Sequence, residues 1–497
     1  MDISTLLSQA AHKWPERIAL YEPAVHRSLS FADLDRQLTA FGLALERLNV
    51  QAGARVALLA EASINYLLAD YGCMATGRVR VPLDPALSGE ELLAQVRDAG
   101  AQLLLFSSHY QALAGQLRLA GVPCLALEGF AEASALPLPA RAAQPAQALA
   151  SLNYTGGTTG LPKAVMHRHA SLCAVLQNIV MARGAVPGDV LLNVRPLWPI
   201  AAVAVLGHLL SGGQVVLGGR FEAPAFIGQL REHQAAFSSL VPTQLLRLLR
   251  EAGTAAADLP SLKTLDIGAA ALASEVLEGA CQLFGSRLSV LYGMTEAPWS
   301  CYLSVAQMAA TRAAGESAQG LVGRPVFSAA LRIDQPDEQG VGEILIAGPQ
   351  LMAGYWQQPE LTARTLADGW LRSGDLGSIR ADGLLSVQGR CKDIIRSGGK
   401  SVQPSEVEQS LRELAQVTDV HVFGLADLEW GEQVCAAVVL SEPGALSDQQ
   451  LIEHCRARLS RFKVPRRIWF LNELPRSHYG KVQQNRLLAE LDAGPGQ

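Results

Sequence analysis

Tyr154-Thr155-Gly156-Gly157-Thr158-Thr159-Gly160-Leu161-Pro162-Lys163 is the stretch from which the rest of the chain is read. Three glycines are interleaved with three threonines, and a lysine closes the run. Glycine permits a tight turn and a close approach of backbone to ligand. Successive N–H groups in such a turn form an anion-binding concavity. Hydroxyls from Thr155, Thr158 and Thr159 and the charge of Lys163 add donors suited to a polyphosphate. The nucleotide-hydrolase P-loop needs Gly-Lys-Ser/Thr opening a helix. Here Leu161 and Pro162 separate Gly160 from Lys163, and Ala164 follows the lysine.

Around this loop lies a chain of 497 residues, 49% hydrophobic and 18% charged, with a formal net charge of −5. That length accommodates two or more domains with a large core. The charge provides no basic footprint for nucleic acid. Met1-Asp2-Ile3-Ser4 lacks the basic and then apolar pattern of a signal peptide. The longest apolar stretch, around Leu197–Leu210, is too short to span a bilayer and contains Pro199 and His208, so it reads as a buried helix. Eight scattered cysteines without Cys-x2-Cys spacing fit reduced thiols in a cytoplasmic protein.

Helical and strand patterns alternate along the chain, which argues for α/β layering. Helices are expected at Thr5–His12, after Ser30, and at Ile64–Ala75. Strands are expected at Val56–Leu59, Val79–Asp84 and Gln102–Phe106. Residues 131–148, rich in Ala and Pro, read as a surface connector. Further strands are expected at Val215–Leu217, Phe237–Val241 and Leu265–Gly268, and short strands with Gly/Pro turns dominate from Leu331 to Val387. After Gly389 come a helix at Ser405–Leu414, strands at Asp419–Phe423 and Val434–Leu440, and a helix at Asp448–Leu459.

The loop resembles the phosphate loop of the adenylate-forming superfamily, which contains acyl- and aryl-CoA synthetases, nonribosomal adenylation domains and firefly luciferase. Other segments resemble the same family in its order. They are Tyr292-Gly293-Met294-Thr295-Glu296; Gly342-Glu343-Ile344 through Gly348-Pro349, Met352 and Gly354-Tyr355-Trp356; and Ser373-Gly374-Asp375. Gly389-Arg390-Cys391-Lys392-Asp393 and Pro475-Arg476-Ser477-His478-Tyr479-Gly480-Lys481 complete the series. The resemblance implies an α/β fold with a large N-terminal domain, residues 1–391, of layered α/β subdomains plus a β-rich subdomain. A small mobile α+β C-terminal domain, residues 392–497, would carry the catalytic lysine and pivot at Lys392.

It also implies the chemistry. A carboxylate attacks the α-phosphate of ATP, pyrophosphate leaves, and the acyl-adenylate passes to a thiol. Such a site needs positioned cations and N–H donors. Thr155, Gly156, Gly157, Thr158, Thr159, Gly160 and Lys163 would hold the outer phosphates. Thr295 would donate to the α-phosphate, and Glu296 would bind Mg²⁺, a hard cation suited to oxygen ligands. Tyr292 would stack on adenine beside Gly268, Ala269 and Ala270. Asp375 would accept from the ribose hydroxyls, with Arg390 adding a ribose or phosphate contact. Lys481 would bridge carboxylate and α-phosphate. His167 and His169 stand at poor spacing for shared helical ligation and are assigned no metal.

Departures from the family pattern bear on the substrates. Trp198-Pro199 stands where relatives often carry an aromatic-plus-His or aromatic-plus-Trp pair, and Gly398-Gly399-Lys400-Ser401-Val402 where many read Gly-Gly-Glu-Asn-Ile. The expected acid pocket is Trp198, Pro199, Ala202, Met294, Ala297, Pro298 and Trp299, with Ala269 and Ala270. It lacks a cation for a second carboxylate and favours a neutral aliphatic or aromatic acid. Gly398 and Gly399 would lie beside the thiol. Coenzyme A is the expected acceptor; a carrier-protein pantetheine or an amine are the alternatives. An inactive ligand-binding relative is a further alternative, opposed by intact Lys481, Glu296 and Asp375.

Overall fold

The computed structural model describes residues 1–129, 138–155, 163–252, 258–268, 274–428, 430–476 and 482–492. By internal packing the chain divides into two compact units. One comprises Met1–Leu331 with Ile346–Arg372, the other Arg332–Leu345 with Ser373–Gln497. The α/β class with a large N-terminal and a small C-terminal part is therefore observed. The pivot expected at Lys392 lies inside the second unit.

In the first unit, two sheets carry the strands in or next to which Thr155, Lys163, Gly268, Tyr292, Thr295 and Glu296 stand. The seven-stranded sheet runs in the order Gly354–Tyr355, Lys163–Arg168, Leu149–Thr155, Val79–Pro82, Arg55–Leu59, Leu103–Phe106, Cys124–Ala126. Its middle strands are parallel and buried, with Val56, Ala57, Leu58 and Leu59 at 0% exposure, as crossover helices on the faces require. A second parallel run passes from Leu288–Met294 through Thr264–Gly268, Phe237–Leu240, Val190–Asn193 and Gln214–Leu217 to Ile18–Glu22. The antiparallel strand Ala297–Leu303 continues it beyond Leu288–Met294. Ligand sites in such sheets form at the carboxyl ends of the strands, which is where Gly268 and Met294 stand.

Local chemistry explains most element boundaries. Ser30 caps helix Phe31–Arg47 and Asp33 reaches back in a capping box. The same box, Ser88 with Glu91, opens Gly89–Ala99, and Gly100 ends it in the left-handed region. Helix Ile64–Ala75 falls on the expected residues, and Ala201–Leu210 is the buried helix read from the apolar stretch. The connector 131–148 falls partly outside the described residues; its remainder, 138–148, has no helix or strand.

The second unit contains a five-stranded sheet. Lys400–Val402, Ile395–Ser397, Gly431–Leu440 and Val417–Asp427 pair antiparallel, and Arg467–Phe470 joins Gly431–Leu440 in parallel. Helices Pro404–Arg412 and Asp448–Arg458 cover it through Val407, Leu411, Leu451 and Cys455. The hairpin Trp370–Ile379 with Leu385–Arg390 belongs largely to this unit. None of the eight cysteines forms a disulfide, and all but Cys391 are buried. Among the described residues, no helix is long and apolar enough to cross a membrane.

Candidate active site

Strand Lys163–Arg168 is the strut of the site. It pairs with Leu149–Thr155, and Thr155 stands opposite Lys163. Gly156, Gly157, Thr158, Thr159 and Gly160 lie outside the described residues, but the strand ends on either side of them meet in register. Strand Gly354–Tyr355 pairs with the other edge of the strut, Tyr355 opposite Val165. Ala353 N–H donates to Met166 O at 2.8 Å and Trp356 N–H to Ala164 O at 2.8 Å.

Thr295 and Glu296 form the two-residue turn between Leu288–Met294 and Ala297–Leu303, closed by Met294 opposite Ala297. Gly293 is required there. A Cβ at this position would stand 2.7 Å from Trp299 N, and Trp299 itself adopts φ 52°. The turn is tied to the strut from two directions. His167 Nε2 donates to Thr295 O at 2.7 Å. Tyr355 Oη donates to Glu296 Oε1 at 2.9 Å, and Met352 N–H donates to Glu296 O at 2.8 Å.

His167 is buried, and burial pushes its imidazole down to about 4. With Nε2–H committed to a carbonyl, Nδ1 is the acceptor, and Ser171 Oγ lies 3.1 Å from it. Burial, then the Glu296 charge, pushes the Tyr355 phenol well up, so it stays a donor. His208 is likewise buried, hydrogen-bonded to Asp189 O, and lowered to about 4 by burial and the Arg183 charge. Both histidines are neutral in the fold and titrate near 6.5 when unfolded. Their contribution to stability is complete above pH 6.5 and declines as pH falls from 6.5 toward 4, by up to roughly 3 kcal/mol each. The urea midpoint is therefore expected to fall between pH 7 and pH 5, above the main carboxylate range. An unchanged midpoint would mean that these histidines are not held neutral.

Glu296, the residue expected to bind magnesium, keeps one carboxylate oxygen available. Tyr355 takes Oε1, and no described residue donates to Oε2. Among the described residues, no group of three or more His, Cys, Asp or Glu could hold a metal. One carboxylate combined with substrate phosphates is the usual protein share of a Mg²⁺ site.

Gly268 pairs with Leu291, which places it beside Tyr292 on the neighbouring strand. Ala269, Ala270 and Lys481 lie outside the described residues. Of the expected acid pocket, Met294 ends strand Leu288–Met294, Pro298 lies in strand Ala297–Leu303, and Trp198–Pro199 is a cis peptide between Val190–Asn193 and helix Ala201–Leu210. Ala202 and Ala297 are fully buried, and Trp299 is 5% exposed. Trp299 stacks on Tyr302 at 5.7 Å, and the Arg183 guanidinium lies 5.2 Å from its centroid. That cation, unnoticed in the sequence, is paired with Asp266 at 2.6 Å, which also accepts from Ser289 and Tyr302.

In the second unit, Asp375 stands opposite Arg390, whose Nε lies 3.3 Å from Asp375 Oδ1. Ser373 Oγ accepts from Asp375 N–H at 3.0 Å. Arg390 thus orients the carboxylate expected to receive the ribose. Lys392 is exposed in the short turn Cys391–Asp393. Gly398 and Gly399 make the turn between Ile395–Ser397 and Lys400–Val402 with φ 60° and 76°, values that favour glycine at both central positions. Trp430 closes over the first of them, 2.9 Å from where a Cβ would stand.

Residues 7–356 match the AMP-binding enzyme family, and residues 406–481 match the AMP-binding enzyme C-terminal domain. The chain belongs to this family. Among relatives of this AMP-binding enzyme, a feruloyl-CoA synthase from Amycolatopsis is 32% identical, covering 96% of this chain and 98% of that one. The o-succinylbenzoate CoA synthetase MenE from Bacillus subtilis, solved with its acyl-adenylate intermediate, superposes with a TM-score of 0.86 at 28% identity over 97% of both chains. The amide bond synthetase McbA from Marinactinospora thermotolerans gives a TM-score of 0.87 at 26% identity, covering 98% of this chain and 99% of that one. The resemblance read from the motifs is thereby confirmed at the level of the adenylate-forming superfamily, and the AMP-binding enzyme stands in its acyl- and aryl-CoA synthetase branch as an AMP-forming ligase.

His167 and Tyr355, like Arg183, carry no role in the sequence reading. Their signal was faint: a polar residue at an inward-facing position of strand 163–168, and a tyrosine inside a motif otherwise read for its glycine.

Proposed function

We propose that this AMP-binding enzyme activates a neutral aliphatic or aromatic carboxylic acid and transfers it to coenzyme A. A carboxylate oxygen attacks the α-phosphorus of ATP, the bond to pyrophosphate breaks, and the acyl-adenylate forms. The coenzyme A sulfur then attacks the acyl carbonyl and AMP leaves. Thr155, Lys163 and the residues between them bind the outer phosphates. Thr295 faces the α-phosphate, Glu296 holds Mg²⁺, Tyr292 and Gly268 flank adenine, and Asp375 takes the ribose. Bound Mg²⁺ supplies charge neutralisation at the phosphates. Lys481 serves the first step, and the Gly398–Gly399 turn serves the second after a pivot at Lys392. The proposed location is the cytoplasm.

The acceptor reading rests on one observation. A cation–aromatic cluster surrounds the glycine turn. Arg466 lies 3.9 Å over Trp430, and Lys400 lies 4.7 Å over Phe462. Neither has a carboxylate partner among the described residues. Cations left unneutralised beside flat aromatic faces suit a phosphorylated nucleotide, which coenzyme A carries and an amine lacks. The charge of Lys400, a departure from many relatives, fits this reading. The similarity to McbA supports amide formation as the second reading.

Pyrophosphate release across a panel of acids, with and without coenzyme A, tests the proposal. Thioester is expected only with coenzyme A. Replacing both Lys400 and Arg466 by glutamate is expected to raise the KM for coenzyme A on the order of 10-fold or more, with adenylate formation unchanged. Amide formation from the adenylate and a supplied amine in preference to coenzyme A, with release of AMP, or a KM untouched by the double variant, would overturn the acceptor assignment.

A further inference from the structure

We propose that His167 and Tyr355 are positioning residues of the adenylation step, which fix the Thr295–Glu296 turn to strand Lys163–Arg168 and present Glu296 to the metal–nucleotide complex in one orientation. The inference rests on the reading of Glu296 as the magnesium ligand. A carboxylate on a half-exposed two-residue turn has rotamer freedom, which must be lost when it ligates. Here that freedom is restricted in advance. The Tyr355 hydroxyl occupies Oε1, leaving Oε2 for the ligand. Met352 N–H fixes the Glu296 carbonyl, and His167 fixes the Thr295 carbonyl from the strut itself. Tyr355 is in turn held by strand pairing opposite Val165 and by its N–H bond to Thr362 Oγ1 at 2.9 Å. Gly354 allows that last contact, because a Cβ there would stand 2.7 Å from Thr362 Cγ2. Lys163, the first residue of the same strand, closes the phosphate loop opposite Thr155. One strand thus couples the phosphate loop to the metal-binding turn. Groups that orient a ligand from behind typically change metal affinity or activity about 10–100-fold when removed.

The test compares Tyr355→Phe, His167→Leu and His167→Gln with Glu296→Gln as reference. Titration calorimetry measures ATP affinity with and without Mg²⁺, and adenylate formation is followed against free Mg²⁺. Tyr355→Phe removes one hydroxyl, and its Mg²⁺ half-saturation is expected to rise about 10–100-fold with metal-free ATP affinity unchanged. His167→Leu is expected to shift in the same direction. His167→Gln, which keeps a donor on the side chain, should recover a large part of the loss. Equal weakening of ATP binding with and without Mg²⁺ in Tyr355→Phe would mean a merely structural role and overturn the proposal, and so would wild-type Mg²⁺ dependence. If Glu296→Gln also keeps wild-type Mg²⁺ dependence, the reading of Glu296 fails together with it. If Glu296→Gln shifts while Tyr355→Phe and His167→Leu do not, only the positioning role is lost.

Discussion

Lys481→Ala is expected to lower adenylate formation by on the order of 10²–10³-fold or more, the cost of losing a preorganised charge where charge develops. The attacking carboxylate and the α-phosphate are both anionic, and no covalent nucleophile from the protein relieves their repulsion. A cation that bridges them acts mainly in the transition state, so kcat should fall more than the KM for either substrate rises. The residues flanking this lysine are anchored. Arg476 and Val482 form an antiparallel bridge, Gln483 N–H donates to Pro475 O at 2.8 Å, and Arg476 pairs with Asp419 at 2.8 Å. Truncation of the lysine leaves these contacts intact, so stability should be unchanged. Thioester formation from supplied acyl-adenylate should retain most of its rate, because the phosphoryl step is bypassed. Single-turnover rates of the two half-reactions decide the matter. An equal fall in both would sink the assignment of Lys481 to the first step.

Asp70→Asn should cost about 3–5 kcal/mol of stability, the range for removing one partner of a buried ion pair. Arg80 and Asp70 are both fully buried, with Nη1 and Oδ2 2.5 Å apart. The second Arg80 nitrogen donates to Asn153 Oδ1 at 3.1 Å, and Ser151 Oγ donates to the same oxygen at 2.9 Å. Asn153 lies on the strand that leads into the phosphate loop and donates to Val165 O on the strut. Neutralising Asp70 would leave a buried guanidinium without its counter-charge. Denaturant unfolding of the whole chain measures the loss. The double change Asp70→Leu with Arg80→Met, which removes both charges, should be far less damaging than the single one. A single variant within about 1 kcal/mol of wild type, as for an exposed pair, would show that the pair does not hold the base of the loop.

Much of the architecture was legible in the sequence, and particular residues show why. Ser30 with Asp33 caps the helix expected after Ser30 through contacts three residues apart. The helix expected at Ile64–Ala75 follows local periodicity and is observed on those residues. These are short-range effects, fixed by neighbours along the chain. The ordered motifs added the family, and through it the chemistry expected at Glu296, Asp375 and Lys481.

Tertiary structure alone decided how the polar groups meet. Tyr355 reaches Glu296 across 59 positions, His167 reaches Thr295 across 128, and Arg80 reaches Asn153 across 73. Arg183, absent from the sequence reading of the pocket, comes to rest on Trp299 with its charge taken by Asp266. Such meetings depend on strand order and register, and a slip of one residue would turn the strand side chains of Tyr355, His167, Arg80 and Asn153 to the opposite face of their sheet. Local sequence determined the strands, turns and caps; the pairing of those strands determined which buried donor faces which acceptor, because that choice is made by packing between segments far apart in the chain.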